Sequence, residues 1–170
     1  LDDSKALFDE KLEMWVAPFI MAPINTKNIH RSNALMGHAY GEDFCYDEMS
    51  ITGSGDEGKA RAEFMATLNP LVGDDMPAPG EGPSKESREN GNFNVLFCAD
   101  MPNGETLNAT VTGDMDPGYG STSKMIAESA VCLVKDCLEL EGGIYTPAPS
   151  MGKKLITRLV ANAGLTFTLD

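Results

Sequence analysis

The sequence predicts an α+β fold, with helices packed on one face of a mostly antiparallel or mixed sheet. Three observations lead to this fold class. Four segments carry helix signals, a two-stranded hairpin with an Asn-Gly turn follows the second of them, and an alternating apolar segment closes the chain. The predicted order is helix, strand, helix, hairpin, helix, helix, strand. At 170 residues the chain is long enough to bury a core without metal or disulfide support.

The first predicted helix follows an apolar segment. Residues 14–22 are apolar but interrupted by Pro18, which indicates a buried connection or a short strand rather than a long helix. Residues 26–36 are predicted as a helix, with Asn25 as its N-cap and Gly37 just past its end.

A strand and a second helix come next. Residues 43–52 alternate well enough for a strand. Ser54 or Asp56 then begins a helix over residues 59–68, which places its apolar side chains on one face, and the Asn69-Pro70 dipeptide ends it.

The middle of the chain is predicted to be a loop followed by a hairpin. Residues 73–91, from Gly73 to Gly91, contain four glycines and three prolines, which indicates an exposed, flexible loop or a lid. Residues 92–99 and 106–112 alternate on either side of Asn103-Gly104, which is typical of a hairpin.

The last third has the strongest helix signal. An apolar stripe predicts a helix over residues 122–140, ended by Gly142-Gly143. A second helix is predicted over residues 151–163, capped by Ser150 and stopped by Gly164, and residues 165–169 alternate as a closing strand.

The charge of the chain excludes several kinds of partner. There are 13 basic and 26 acidic residues, giving a formal net charge of −13. A nucleic-acid-binding surface needs a cationic field, and an anionic membrane surface would repel this chain. The sequence also has no apolar run long enough to span a membrane. We therefore expect a cytoplasmic protein that binds neither nucleic acid nor membranes, its acidity serving chiefly for solubility.

The cysteines and the first residues give two further expectations. Cys132 and Cys137 lie on one predicted helix about 140° apart, so they neither pair readily nor form a CxxC motif. With Cys45 and Cys98 they are predicted to be reduced and mostly buried thiols.

The chain begins at Leu1 without a signal-peptide pattern or an initiator Met, so it is interpreted as a processed product or part of a longer protein.

The glycine-rich loop over residues 113–121 is the best candidate site. It leads into a helix N-terminus, where the amides of Gly118, Gly120 and Ser121 could bind an anion or a carbonyl group. It does not satisfy the P-loop, dinucleotide or EF-hand patterns. A tight structural turn is the alternative interpretation.

Two cations and a polar helix face could join this loop. Asn25, Asn28 and Ser32 share one side of the first predicted helix, with Arg31 beside them. Arg31 could hold a carboxylate or form a surface ion pair. Lys124 lies in the first turn of its helix, where it opposes the dipole, so Asp114, Asp116 or a bound anion should compensate it.

The sequence identifies no catalytic residue and no metal site. His30 and His38 are the only histidines, and the acid-rich ligand spacing of a metal site is missing around them. There is no nucleophile elbow and no recognisable Ser/His/Asp set.

Four segments of the sequence, taken together and in this order, are similar to a known family. They are Ala22-Pro23-Ile24-Asn25-Thr26-Lys27 with Arg31-Ser32-Asn33-Ala34-Leu35; Tyr40-Gly41-Glu42-Asp43-Phe44-x-Tyr46-Asp47-Glu48; Thr112-Gly113-Asp114-x-Asp116-Pro117-Gly118-Tyr119-Gly120-x-Thr122-x-Lys124-Met125; and Thr146-Pro147-Ala148 with Met151-Gly152. Together they resemble the C-terminal half of the saccharopine dehydrogenase-like oxidoreductases, the branch that includes the trans-acting enoyl reductases.

The resemblance implies a division of labour. Proteins of that family bind NAD(P) on an N-terminal Rossmann domain, and a second α/β domain shapes the substrate cleft. Residues 1–170 would then be a single C-terminal substrate domain, with the dinucleotide-binding domain absent from this chain and no cofactor bound by the chain alone. Its partners would be a small-molecule substrate, the missing Rossmann domain and, in a homodimer, a second copy.

The resemblance also implies a set of cleft residues: Asn25, Arg31, Ser32, Asn33, Tyr119 and Lys124. A non-enzymatic binding or interaction module of the same fold is the alternative function.

Overall fold

The structure, a computed structural model, describes residues 5–68 and 80–169. It divides into two compact units, Leu1–Met76 and Pro77–Asp170. The described residues of each unit form one three-stranded antiparallel sheet with helices beside it. The α+β class predicted from the sequence is thus confirmed.

The first unit is built from three strands and two helices in its described part. These are β1 (Leu7–Asp9), β2 (Met14–Pro18), α1 (Ala22–Leu35), β3 (Met49–Gly53) and α2 (Gly55–Thr67). The strand order is β1-β2-β3, and α2 packs on the sheet. Val16, Ala17, Ala22 and Ala62 are the buried apolar side chains of its described part.

Two features of this unit differ from the sequence prediction. Helix α1 begins at Ala22 rather than Thr26, because Pro23 has no amide hydrogen and its fixed φ suits a first helical turn. Asn25 is therefore inside the helix and not its cap. The predicted strand over residues 43–52 pairs only from Met49 onward, since β2 offers a ladder of only five residues. The short strand β1 was not predicted.

The second unit contains three helices and three strands among its described residues. They are α3 (Lys85–Asn90), β4 (Phe93–Asp100), β5 (Thr106–Gly113), α4 (Gly120–Lys135), α5 (Pro147–Asn162) and β6 (Leu165–Leu169). The hairpin and the closing strand are confirmed, with β5 central between β4 and β6. Helix α5 packs against α4 and β6, and Leu159, Ala163 and Leu165 form the buried core there.

Three helix predictions in this unit need correction. Residues 85–90 of the predicted loop form a short helix, because the hydroxyl of Ser84 caps this helix by accepting from the Ser87 amide at 3.1 Å. Residues 73–79 of the same predicted loop lie outside the described residues. The helix end predicted at Asn69-Pro70, in the first unit, also lies outside them. Helix α4 spans 120–135 instead of 122–140.

The last helix begins at Pro147, four residues before the prediction. Thr146 precedes it, and Ser150 lies inside its first turn rather than capping it. Gly152 interrupts the helix with a left-handed φ of 49°, a conformation that costs little only for glycine. The signal at Ser150 and Met151 therefore marks a kink within the helix.

No helix of the described residues is long and apolar enough to cross a membrane.

Candidate functional site

The loop between β5 and α4 is organised around the side chain of Asp116. Its carboxylate accepts hydrogen bonds from the amides of Gly118 (3.0 Å), Tyr119 (3.0 Å) and Gly120 (2.5 Å). Desolvation alone would raise the pKa of Asp116, but these three bonds and the charge of Arg88 lower it overall. Asp116 is thus held as a carboxylate at the N-terminus of α4.

The contacts of Asp116 involve two of the residues predicted to bind an anion, Gly118 and Gly120. The amides of Gly118 and Gly120 point to a carboxylate of the chain itself, where an external anion was expected. Ser121 is fully buried, and its hydroxyl donates to the Met115 carbonyl oxygen at 3.1 Å. An external anion would have to displace Asp116 to reach these amides.

Lys124 is compensated by an acid, as the sequence predicted. Its ammonium nitrogen lies 2.5 Å from Oδ1 of Asp114. Both side chains are partly exposed, at 28% for Lys124 and 57% for Asp114. Asp114, the first residue after β5, therefore neutralises Lys124, whose positive charge opposes the dipole of α4.

A pocket of about 300 Å³ lies beside this loop. Tyr119 and Gly120 line it together with the cations Lys85 and Arg88, the hydroxyl-bearing Ser123, and Glu89 and Met115. Lys85 is paired with Glu89 at 3.6 Å, and Asp116 donates its amide to the Arg88 carbonyl oxygen at 3.0 Å. The pocket thus combines two cations with hydroxyl groups at a helix N-terminus.

Sequence reasoning missed the contribution of α3 to this pocket. Lys85 and Arg88 lie in a segment rich in glycine and proline, which was predicted as loop. A helix signal was nevertheless present: Ser84 followed by a polar, glycine-free run up to Asn90.

A second polar cluster lies in the first unit, around Glu48. Its carboxylate accepts from Asn25 Nδ2 at 2.9 Å and from the Tyr46 hydroxyl at 2.8 Å. Burial, reinforced by the hydrogen bond to Glu48, raises the pKa of Tyr46 well above its usual value. Tyr46 is therefore a poor proton donor at neutral pH, and the cluster links α1 to the segment before β3.

The remaining predicted residues of α1 face in different directions. Ser32 and Asn33 are buried; Ser32 donates to the Asn28 carbonyl oxygen at 2.8 Å. Asn33 donates to the Gly41 carbonyl oxygen (2.8 Å) and accepts from the Tyr40 amide (2.9 Å), so its side chain holds the turn after the helix. Arg31 is exposed.

The predicted cleft residues therefore form two groups. Asn25, Arg31, Ser32 and Asn33 belong to the first unit, and Tyr119 and Lys124 to the second. Of these, Tyr119 is the one that lines the pocket beside α3 and α4. Neither histidine contributes to a metal site in the described ranges, where no three suitable ligand side chains come together.

Comparison with known proteins identifies relatives over nearly the whole chain. A Mycobacterium tuberculosis (strain H37Rv) protein named "Putative trans-acting enoyl reductase Rv2449c" is 37% identical over 96% of the chain. Proteins named trans-acting enoyl reductase from Mycobacterium ulcerans and Mycobacterium bovis (strain BCG) are 32% and 33% identical over 90% of it. The chain is homologous to part of these proteins.

The match covers less than half of the length of each of these relatives. The chain spans 43% of the Mycobacterium tuberculosis protein and 41% of each of the other two. No family profile matches the chain. No solved structure matches it.

Neither sheet of the described residues has the strand arrangement of a Rossmann domain. Both sheets are antiparallel, whereas the dinucleotide site of a Rossmann domain lies at the carboxyl ends of parallel strands. At the glycine-rich loop between β5 and α4, the Asp116 carboxylate accepts hydrogen bonds from amides that a pyrophosphate would need.

Proposed function

We propose that this chain is the substrate-binding part of a saccharopine dehydrogenase-like, NAD(P)-dependent oxidoreductase that reduces an enoyl group, as the names of its relatives describe for them. The similarity to those relatives over 90–96% of the chain carries the proposal. The nucleotide would be bound by a dinucleotide-binding segment outside these 170 residues. Interdomain or dimer contacts would be the second task of this chain.

The pocket beside α3 and α4 would hold the polar end of the substrate. An enoyl group destined for reduction is conjugated to a carbonyl, and its oxygen gains negative charge as the double bond is reduced. Arg88 and Lys85 offer positive charge, and the Tyr119 hydroxyl is a hydrogen-bond donor, at the same pocket. Such groups stabilise an oxyanion best when they are fixed before the reaction.

Activity of the full-length protein tests this role. NADPH oxidation in the presence of an enoyl thioester is measured for wild type, Arg88→Ala and Tyr119→Phe. Loss of one oxyanion-stabilising donor typically lowers kcat about 10²–10³-fold. Lys135→Ala is the matched control, since Lys135 lies at the other end of α4 and should leave kcat unchanged. Equal kinetics for all four proteins would remove the pocket from the substrate site.

Arg31 and Lys124 provide a second activity test. If both face the substrate in the full-length protein, Arg31→Ala and Lys124→Ala reduce turnover and leave the circular dichroism spectrum unchanged. Unchanged kinetics for both would place the site elsewhere.

Cofactor binding separates the enzyme from a stand-alone binding module. Calorimetric titration of the 170-residue chain with NADPH should give no binding, whereas the full-length protein should bind it. Micromolar binding to the isolated chain would contradict the proposed division of labour. A full-length protein that has no dinucleotide-binding segment and oxidises no NADPH would favour the module.

A further inference from the structure

Two buried thiols lie against each other at the end of α4. Cys132 is fully buried and Cys137 is 6% exposed, and their sulfur atoms are 4.0 Å apart. The sequence prediction placed them on one helix, pointing about 140° apart. That prediction is wrong because α4 ends at Lys135, before Cys137 is reached.

The turn after α4 brings the second thiol back to the first. The amides of Asp136 and Cys137 both donate to the Cys132 carbonyl oxygen, at 2.9 and 3.1 Å. This wraps the chain around the last helical turn, so that Cys137 packs with Cys132 and Met151 in one apolar cluster.

Salt bridges and hydrogen bonds from α5 fix the same turn. Arg158 donates to both carboxylate oxygens of Asp136 and, at 3.1 Å, to Glu128. Lys154 donates to the Asp136 carbonyl oxygen at 2.6 Å. Asp136 lies directly before Cys137, so these contacts hold the second sulfur close to the first.

The other two cysteines are different. Cys45 and Cys98 are exposed, which contradicts the prediction of mostly buried thiols for them. Cys98 lies opposite Asn108 in the β4–β5 ladder, on the polar side of an alternating pattern. Among the described residues, Cys132 and Cys137 are thus the pair whose sulfurs are in contact.

We propose that Cys132 and Cys137 are an oxidisable pair that closes to an intrachain disulfide when the protein meets a peroxide. Closure needs the sulfurs to approach by about 2 Å, from 4.0 Å to the ~2.05 Å of a disulfide bond. In the first step one thiol loses its proton and its sulfur attacks a peroxide oxygen; the hydroxide that leaves takes up that proton, giving a sulfenic acid and one water. In the second step the other sulfur attacks the sulfenic sulfur, forming the S–S bond and releasing a second water. Two thiols lose two hydrogens and the peroxide is reduced to two waters.

The order of the two steps follows from their surroundings. Cys137 keeps some contact with solvent and precedes the exposed Leu138, whereas Cys132 has none. Burial, with the neighbouring Cys137 and Asp136, raises the pKa of the Cys132 thiol, which keeps it protonated. Cys137 therefore reacts with the peroxide, and Cys132 resolves the sulfenic acid.

Peptide mapping tests the cross-link directly. The full-length protein is treated with hydrogen peroxide, alkylated and digested with trypsin without reductant. Lys135 lies between the two cysteines, so trypsin separates peptide 125–135 from peptide 136–153. The expected product is these two peptides joined, with two hydrogens fewer than their sum, and separated again by dithiothreitol. Free Cys132 and Cys137 at a peroxide dose that fully oxidises the exposed Cys45 and Cys98 would overturn the proposal.

Single substitutions test the order of attack. In Cys132→Ser, Cys137 should accumulate as a sulfenic acid that dimedone traps. In Cys137→Ser, Cys132 should remain a thiol at the same dose. Trapping of Cys132 in the second variant, or a disulfide from either cysteine to a third one in wild type, would contradict the assignment. The wild-type map decides the proposal even if a variant fails to fold.

Discussion

The carboxylate of Asp116 occupies the space that a side chain on Gly120 would fill. A Cβ at position 120 would lie 2.7 Å from Asp116 Oδ2, and the Gly120 amide donates to that same oxygen. The glycine is therefore required for the close approach of a carboxylate to the helix N-terminus. In the loop for which the sequence predicts an anion or carbonyl site or a tight turn, the amides of Gly118 and Gly120 donate to a carboxylate of the chain itself.

The pKa of Asp116 predicts how this loop responds to acid. Because the folded-state pKa is below the unfolded value of about 3.9, the stability that the carboxylate contributes is complete above roughly pH 5. It is lost as the pH falls below 3.9 and through the folded-state pKa. Asp116→Asn should lower the Tm at pH 7 by a few degrees, because the amide group that replaces one carboxylate oxygen cannot accept a hydrogen bond.

Thermal unfolding at several pH values checks this prediction. The Tm difference between wild type and Asp116→Asn should be constant from pH 7 to pH 5 and should narrow toward pH 3. Effects of the other carboxyl groups are common to both proteins and cancel. A difference that stays constant down to pH 3 would show that the charge of Asp116 does not stabilise the loop.

The ion pair between Lys124 and Asp114 is expected to be weak. Both side chains are partly exposed, and such pairs contribute about 0.2–1 kcal/mol in double-mutant cycles. A cycle with Lys124→Met and Asp114→Asn, measured by urea unfolding, should give a coupling in this range that decreases in high salt. The exposed pair Lys59–Glu63, separated by 3.8 Å, is the comparison. A salt-independent coupling of several kcal/mol would contradict a surface pair.

The sequence predicted most elements of the fold because their signals are local. The hairpin followed from alternation and its Asn-Gly turn, and Gly37 and Gly164 follow the ends of α1 and α5 as predicted. What failed depends on contacts with distant residues. Helix α4 ends early where Arg158 and Lys154 of α5 hold Asp136, and no local pattern reveals those partners.

The candidate site shows the same division. The loop over residues 113–121 was found because glycines before a helix are a local signal. That Asp116 would take its amides, and that α3 would add Lys85 and Arg88, depends on how the chain folds back on itself. Asn33 was grouped with cleft residues by resemblance, although its hydrogen bonds are made to the turn that follows its own helix.

Asn33 is therefore expected to be needed for folding of the first unit. Replacing it by alanine leaves the Tyr40 amide and the Gly41 carbonyl without their partner, which should cost about 1–3 kcal/mol. Asn33→Asp keeps the acceptor but loses the donor, so its cost should be intermediate. Urea unfolding followed by far-UV circular dichroism measures both.

Asn28→Ala is the matched control for Asn33. Asn28 lies on the same helix and is exposed, and the hydrogen bond from Ser32 uses its backbone oxygen, which alanine retains. It should change stability by less than about 0.5 kcal/mol. Asn33→Ala with unchanged stability and lost substrate binding would return Asn33 to the cleft.

Replacing Gly58 of α2 by alanine changes the free energy of unfolding through two opposing effects, helix propensity and a steric clash with β3. Alanine is favoured over glycine in a helix by about 1 kcal/mol, so propensity alone predicts that Gly58→Ala is stabilising. A Cβ at this buried position would, however, lie 2.2 Å from the Gly53 carbonyl oxygen of β3. The Cβ is bonded to the backbone of α2 and the oxygen belongs to the backbone of β3, so neither can rotate away. The helix must therefore move away from the sheet. We expect a net destabilisation of about 1–3 kcal/mol.

The single tryptophan of the chain reports this displacement. Trp15 lies on β2, which α2 covers, and Lys59 Nζ is 5.4 Å from the centre of its ring. Urea unfolding followed by Trp15 fluorescence should show a lower midpoint for Gly58→Ala and a changed emission before unfolding. Ala60→Gly, at an exposed position of the same helix, measures propensity alone and should cost about 1 kcal/mol without changing the emission. If Gly58→Ala raised the midpoint, α2 would not approach β3 as closely as the structure shows.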